Sequence, residues 1–256
     1  MRQDERVVFD DALRRTRLSA YPVGEFVDQE NFMRAGEILS LAVRAGISPG
    51  VSVLDLCCGV AGPGRFITSE LSCSYVGVDA SASAIDIAQQ RAGDLPCHFD
   101  VARIPPVPAG PFDVVLLLET MLAFPDKESL LREICSALPI GGRFACTVEE
   151  GRPLTEAERV SMPDADTVWL TRLPDLLSCL QHVGLRVRWQ EECSRSHRVT
   201  VDSLICALAA EQSEIAAQLG RRAVDELLTA HQHWSDWLRS GRVRKFALVA
   251  EKTKSP

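Results

Sequence analysis

Long apolar runs are absent from this chain. No stretch nears the roughly 20 residues that a membrane-spanning helix requires. The opening Met1-Arg2-Gln3-Asp4-Glu5-Arg6 has no apolar core of the kind a secretory signal carries. A cytoplasmic protein with no membrane partner is therefore expected. Basic residues are outnumbered, 28 Lys and Arg against 35 Asp and Glu, for a net charge of −7. That balance excludes a broad nucleic-acid surface, which needs clustered cations. The short basic groups at 14–17, 221–222 and 242–245 read as solvated helix faces. Metal-type cysteine pairs are missing too, since none of the nine cysteines stands in Cys-x-x-Cys spacing. No metal site is expected, and free buried thiols in a reducing compartment account for them.

What the chain does contain is an alternation of short apolar runs and amphipathic stretches. With 256 residues and 46% hydrophobic content it can bury one large core. The stretch 53–65, Val-Leu-Asp-Leu-Cys-Cys-Gly-Val-Ala-Gly-Pro-Gly-Arg, is an apolar run ending in an acid, then a glycine-rich turn, then a helix start. Such a run suits a buried parallel strand. Glycines let the backbone turn sharply and approach a ligand, and the helix after them aims free N–H groups into the crevice. Tyr75-Val76-Gly77-Val78-Asp79 reads as a second strand, its acid about 20 residues beyond Gly59, where a carboxylate would accept ribose hydroxyls. Further strands end near Asp100 and Glu119, and Gly141-Gly142 turns into a fifth. The sixth begins at Leu185 and the last spans 243–251. The expected fold is α/β: a Rossmann-like, doubly wound, seven-stranded sheet.

Residues 1–29 form an N-terminal segment, charged and mobile over 1–20 and a Pro- and Gly-punctuated connector over 21–29. A domain over 30–256 follows. It begins with a helix at 30–45, closed by Gly46, and later carries a helix at 174–183. A long insert at 199–240, between the last two strands, has apolar residues at helical spacing on two stripes. It reads as a helical lid over a substrate pocket, or as a dimerisation arm, so either a monomer or a homodimer is expected.

The strand-end series resembles the class I S-adenosylmethionine-dependent methyltransferases. Its first motif is closest to the small-molecule branch (methyltransferase type 11) with the sterol and tocopherol C-methyltransferases, whose loop reads D-V-G-C-G-V-G-G-P-A-R. Gly59, Gly62, Pro63 and Arg65 match that pattern, while Cys57 and Ala61 replace two of its glycines. The resemblance, specific over about 30–150, implies S-adenosylmethionine as cofactor and S-adenosylhomocysteine as product. By it, Asp55 and the loop with Cys57, Gly59 and Ala61 hold the methionine portion. Asp79, with the adjacent Ala80, binds the ribose, Asp100 and Val101 the adenine, and Leu118 with Glu119 faces the sulfonium. An N-terminal segment with Phe26, Gln29 and Phe32 closes over the pocket.

Each residue has a plainer alternative. Asp55 braces the loop through its backbone N–H groups, Asp100 caps a turn, Glu119 caps a helix, and Cys57 and Cys58 are small side chains tolerated in a tight loop. His197 and Glu119 are the candidate general bases, although a lone histidine at a strand-to-lid junction is more often structural. His231 and His233 point to different helix faces and are not taken as ligands. Trp234 and Trp237 read as lid packing. Sterol-type members carry a histidine soon after the fourth-strand acid; here Thr120-Met121-Leu122-Ala123-Phe124 follows, favouring a small, mostly apolar acceptor, plausibly of bacterial secondary metabolism. Two rivals remain. A nicotinamide dehydrogenase would need G-x-G-x-x-G rather than the G-x-x-G-x-G present. A methyltransferase-like cyclase or isomerase would keep the nucleotide as a structural group.

Overall fold

The computed structural model describes residues 11–253. Its strands are β1 (Ser52–Leu56), β2 (Ser74–Asp79), β3 (Cys97–Val101), β4 (Val114–Leu117), β5 (Arg143–Glu150), β6 (Leu185–Glu192) and β7 (Arg244–Lys252). They form one sheet in the order β3-β2-β1-β4-β5-β7-β6. The first five are parallel, and β7 runs antiparallel between β5 and β6. Successive strands leave β1 toward one edge and β4 toward the other. The switch between them opens a crevice at their carboxyl ends, where such sheets bind ligands.

Strand parity assigns the two faces of the sheet. Leu54, Leu56, Val115 and Leu117 pack with Phe144, Leu176 and Leu180 on the side of α5 (Lys127–Ala137) and α7 (Leu173–His182). Val53, Val114 and Leu116 pack with Ile38, Leu41, Ile67 and Ile85 on the other. That face is covered by α2 (Ala35–Arg44), α3 (Gly62–Leu71) and α4 (Ala82–Ala92). Both faces are covered, which is why the strands read as near-continuous apolar runs. Truncating a wholly buried leucine such as Leu54 to alanine would cost about 2–5 kcal/mol.

Three expectations need correction. Of the stretch expected to be mobile, residues 11–20 form α1 (Asp11–Ala20), while 1–10 lie outside the described residues. This helix docks on the insert: Arg15 pairs with Glu214 at 2.7 Å and Thr16 hydrogen-bonds Glu211. The helix expected from residue 30 starts only at Ala35. Gln29 donates to Glu25 O and Met33 O and accepts from Val27 N, and Asn31 accepts from Met33 N. These local bonds satisfy the backbone in a bent strap and leave it no need of a helix. Arg14 and Arg17 are not solvated either, because Arg14 binds Asp28 at 2.6 Å and Arg17 lies 3.7 Å from Glu30.

The insert comprises α8 (Ser194–Ala210), α9 (Gln212–Leu219) and α10 (Arg221–Ser240), so it begins five residues before the expected 199. Leu208, Ile215 and Val224 form its inner seam, closed by Leu13 of α1. Trp234 and Trp237 meet edge to face at 5.3 Å beside Val243 and Met162, the residue that ends α6 (Glu156–Ser161), which is the packing expected of them. Among the described residues no helix is long and apolar enough to cross a membrane.

Candidate functional site

The crevice between β1 and β4 is a cavity of about 260 Å³. Residues 28–31 of the strap form one wall, the turn after β1 the floor, and Asp79, Leu118, Glu119 and Thr120 the rest. The turn alternates into left-handed backbone: Cys57 has φ 59°, Gly59 55° and Ala61 54°. Cys57 and Ala61 are the two positions where the resembling family has glycine, so the replacements keep the loop shape at a cost of order 1 kcal/mol each. The later glycines serve packing, and Gly62 also lines the cleft. A Cβ on Gly62 would stand 2.1 Å from Val27 O, and one on Gly64 the same distance from the Tyr75 ring.

Asp79 ends β2 and is held from both sides. Gly59 N–H donates to its Oδ2 at 2.9 Å and Ser81 N–H to its Oδ1 at 2.8 Å. This fixes the carboxylate while leaving lone pairs open to the cleft. Asp55 lines the same cleft but is buried, and Tyr75 Oη donates to its Oδ2 at 2.6 Å. Its brace is therefore a tyrosine, not the loop amides. Burial pushes its carboxyl up to about 7, opposed by the Tyr75 bond and reinforced by the charge of Asp79.

Of the other expected cofactor contacts, Cys57, Gly59 and Leu118 line the cleft and Ala61 is wholly buried beneath it. Ala80, Asp100 and Val101 lie exposed outside the lining. Val101 sits beside Asp79 in the β2–β3 register, and Asp100 lies 3.1 Å from His98 Nε2. Burial and the charges of Asp79 and Asp55 push the Cys57 thiol up to about 12, which removes any thiolate role.

Glu119 follows β4 with φ 58° and caps no helix; its N–H donates to Thr147 Oγ1. It meets the other candidate base, since His197 Nδ1 lies 3.7 Å from Glu119 Oε1. His197, however, is fully buried in the first turn of α8 and does not line the cleft. Its Nε2 faces Glu37 Oε2 at 3.5 Å. It is a linking residue, with no open path to a ligand in the cleft.

The sequence reading missed Lys245, Glu149 and Glu37. Lys245 Nζ hydrogen-bonds Glu119 and lies 3.1 Å from Glu149 Oε1 and 4.9 Å from the Phe32 ring centre. Burial alone would lower its pKa, but Glu119 and Glu149 outweigh that and raise it. Glu119 is driven below the usual carboxylate range: Lys245 and then His197 overcome its burial. Glu149 moves the other way, raised by burial and by the Glu119 charge. Glu37 falls to about 2, because His197, Ser196 and the Arg34 amide outweigh burial. The sequence sets Lys245 in the 242–245 basic group expected to be solvated, whereas it is buried. Its signal is the strand register, which sets Glu149 directly opposite Lys245.

The apolar run after Glu119 also changes meaning. Met121 and Phe124 belong to the core against α5, and neither lines the cleft. His231 is tucked against Phe32 and the Leu227 carbonyl, with its pKa lowered to about 4 by burial. His233 bonds the Ser161 carbonyl instead.

Comparison with known proteins gives a consistent result. A family model described as a methyltransferase domain matches residues 47–192. The chain is similar to phosphoethanolamine N-methyltransferase 1 of Arabidopsis thaliana, 33% identical over 104 residues, covering 39% of this chain. That match spans only 21% of the relative's own length. Its structure resembles the cyclopropane synthase MmaA2 from Mycobacterium tuberculosis (TM-score 0.77, 15% identity, 95% of each chain). It also resembles the cyclase SpnF (TM-score 0.73, 20% identity, 94% of this chain and 93% of that one). At these identities the structural likeness speaks for the fold alone.

Proposed function

Because the chain belongs to the methyltransferase-domain family, we propose that it moves the methyl group of S-adenosylmethionine onto a small-molecule acceptor. S-adenosylhomocysteine would be the other product. The charge of the cleft carries this reading. Among the described residues, Asp28, Glu30, Asp55, Asp79 and Glu119 line it and no lysine, arginine or histidine does. Asp28 is matched by arginines and Asp55 is raised toward neutral, so Glu30, Asp79 and Glu119 supply the charge. A ligand with a sulfonium, an ammonium and a ribose diol meets complementary charge there. A dinucleotide would lay its pyrophosphate against carboxylates. Glu119 Oε1 makes no hydrogen bond, His197 Nδ1 standing 3.7 Å away, so the carboxylate keeps an unused acceptor.

When bound, the cofactor supplies a methyl carbon activated by a positively charged sulfur leaving group. The residues of this chain then have to bind, orient and exclude water. Asp79 takes the ribose hydroxyls with lone pairs already oriented by Gly59 and Ser81. The strap at 28–31 covers the ligand, and Gln29 keeps the strap bent. Glu119 is a poor base, because Lys245 stabilises its anion, and His197 does not reach the cleft. Alignment of the acceptor therefore does most of the work, an effect large enough to suffice for transfer to a reactive nucleophile.

The insert α8–α10 serves as the acceptor-side lid, tied through α1 to the strap. The acceptor is a small molecule, such as a bacterial secondary metabolite. Calorimetric titration tests the reading. S-adenosylmethionine and S-adenosylhomocysteine should bind, NAD should not, and Asp79→Ala should weaken both ligands by removing a charge-assisted acceptor. Binding of NAD alone would overturn it. Binding without methyl consumption across a panel of small acceptors would move the assignment to a cyclase that holds the nucleotide structurally.

A further inference from the structure

Lys245 sits behind Glu119 as seen from the cleft: Glu119 lines the cavity and Lys245 does not. Both are almost wholly buried, with side-chain exposures of 7% and 3%. A buried carboxyl without a counter-charge takes up a proton and becomes neutral. Lys245 prevents this, so that a negative charge is kept at a residue of the cleft wall. The other groups facing the pair are His197 from α8, Thr147 and Glu149 from β5, Cys193 before α8 and Tyr21 from the strap. None of them lines the cleft. Asp79, the acid at the end of β2, already accepts from the Gly59 and Ser81 amides.

We propose that the Lys245–Glu119 pair makes the cleft discriminate the sulfonium of the cofactor from the neutral thioether of the product, with Lys245 as the positioning residue. The inference rests on the cofactor reading above. In the transfer, the acceptor's electron pair forms a bond to the methyl carbon, and the carbon–sulfur pair goes to sulfur. The positive charge leaves sulfur with the methyl group and resides on the acceptor until a proton departs. Glu119 attracts that charge on sulfur before transfer and loses hold of the spent cofactor afterwards. Product release is thereby favoured by the chemistry itself.

The test needs no acceptor. Affinities for S-adenosylmethionine and S-adenosylhomocysteine are measured by calorimetry on the full chain and on Glu119→Gln, Lys245→Met, Lys245→Arg and the double variant Lys245→Met/Glu119→Gln. Glu119→Gln should weaken S-adenosylmethionine about tenfold while changing S-adenosylhomocysteine less than about threefold, as loss of one nearby charge in a partly screened site implies. Lys245→Met should reproduce that selective loss, and Lys245→Arg should restore most of it. The double variant should lose no more selectivity than either single one, because the lysine acts through the glutamate. If Lys245→Met does not fold, the double variant, which removes both partners, still reads the selectivity. Equal weakening of both ligands, or unchanged affinity for both, overturns the inference while leaving the cofactor reading intact. A wild-type chain that binds neither ligand overturns the cofactor reading, and this inference with it.

Discussion

Tyr75 and Asp55 meet across the β1–β2 pair, the phenol donating to the carboxyl at 2.6 Å, and Gly64 exists in α3 to admit the tyrosine ring. The folded chain raises Asp55 to about 7 through burial, against about 4 in an unfolded chain. Between those values the unfolded state gives up a proton that the folded state keeps. Stability from this group is therefore lost as pH rises from about 4 to 7. Asp55→Asn cannot titrate, so its stability relative to wild type should rise over that window by on the order of 1–4 kcal/mol. Urea unfolding midpoints at pH 5 and pH 8 check this; a constant difference would show that Asp55 does not titrate there.

The turn after β1 separates two kinds of glycine position. Ala61→Gly relieves a left-handed alanine but adds freedom to the unfolded chain, so stability should change by less than about 1 kcal/mol. Gly62→Ala drives a Cβ into the Val27 carbonyl, and Gly64→Ala drives one into the Tyr75 ring. Both should lose about 2 kcal/mol or more, of the order of other overpacked cores. Thermal melts of the three variants side by side would rank them.

Asp28 draws three arginines: Arg14 of α1 at 2.6 Å, Arg65 of α3 at 3.0 Å and Arg91 of α4 at 3.3 Å. Burial would raise its carboxyl, but the Arg14 and Arg65 hydrogen bonds bring it below the usual value. That stabilisation is present above the unfolded carboxyl range near pH 4 and is lost as pH falls below it. Asp28→Asn should cost about 1–3 kcal/mol, discounted for the partly exposed guanidiniums. It should also make the strap at 21–34 the first site of limited proteolysis. Unaltered cleavage would mean that the strap is held by Gln29 alone.

Thiol chemistry offers an independent check on the cleft. Cys57 and Cys58 line it, but burial holds both thiols protonated, whereas Cys206 is exposed on α8. Iodoacetamide at pH 8 should label Cys206 well before either cleft cysteine. Peptide mapping after a short reaction reads the order. Early labelling of Cys57 would restore a reactive role for it.

How much of this was legible in the sequence depended on the range of the interactions. The β1 strand, its turn and Asp79 were readable because apolar run, glycine turn and acid follow one another within about 25 residues. The strap was misread because Gln29 and Asn31 replace helical hydrogen bonds with side-chain bonds, which a hydrophobic pattern does not register. The Lys245–Glu119 pair was not readable at all. It depends on β7 inserting between β5 and β6, and only that register puts a lysine from a basic stretch against two acids. His197 stands at the strand-to-lid junction where the sequence puts it, and the early start of α8 buries it there, in keeping with the structural alternative.

The docking of α1 on the insert has a consequence for how the chain comes to its final form. The Arg15–Glu214 and Thr16–Glu211 contacts join residues 199 and 195 positions apart. Closing so long a loop is favourable only once the intervening sheet has already brought its ends together. The docking of α1 therefore waits until residue 219 has emerged and the insert has folded. Until then α1 holds only to the strap, through Arg14–Asp28 and Arg17–Glu30, and the insert is not yet tied to that wall of the cleft. Cofactor present during synthesis would meet a strap still free of the insert.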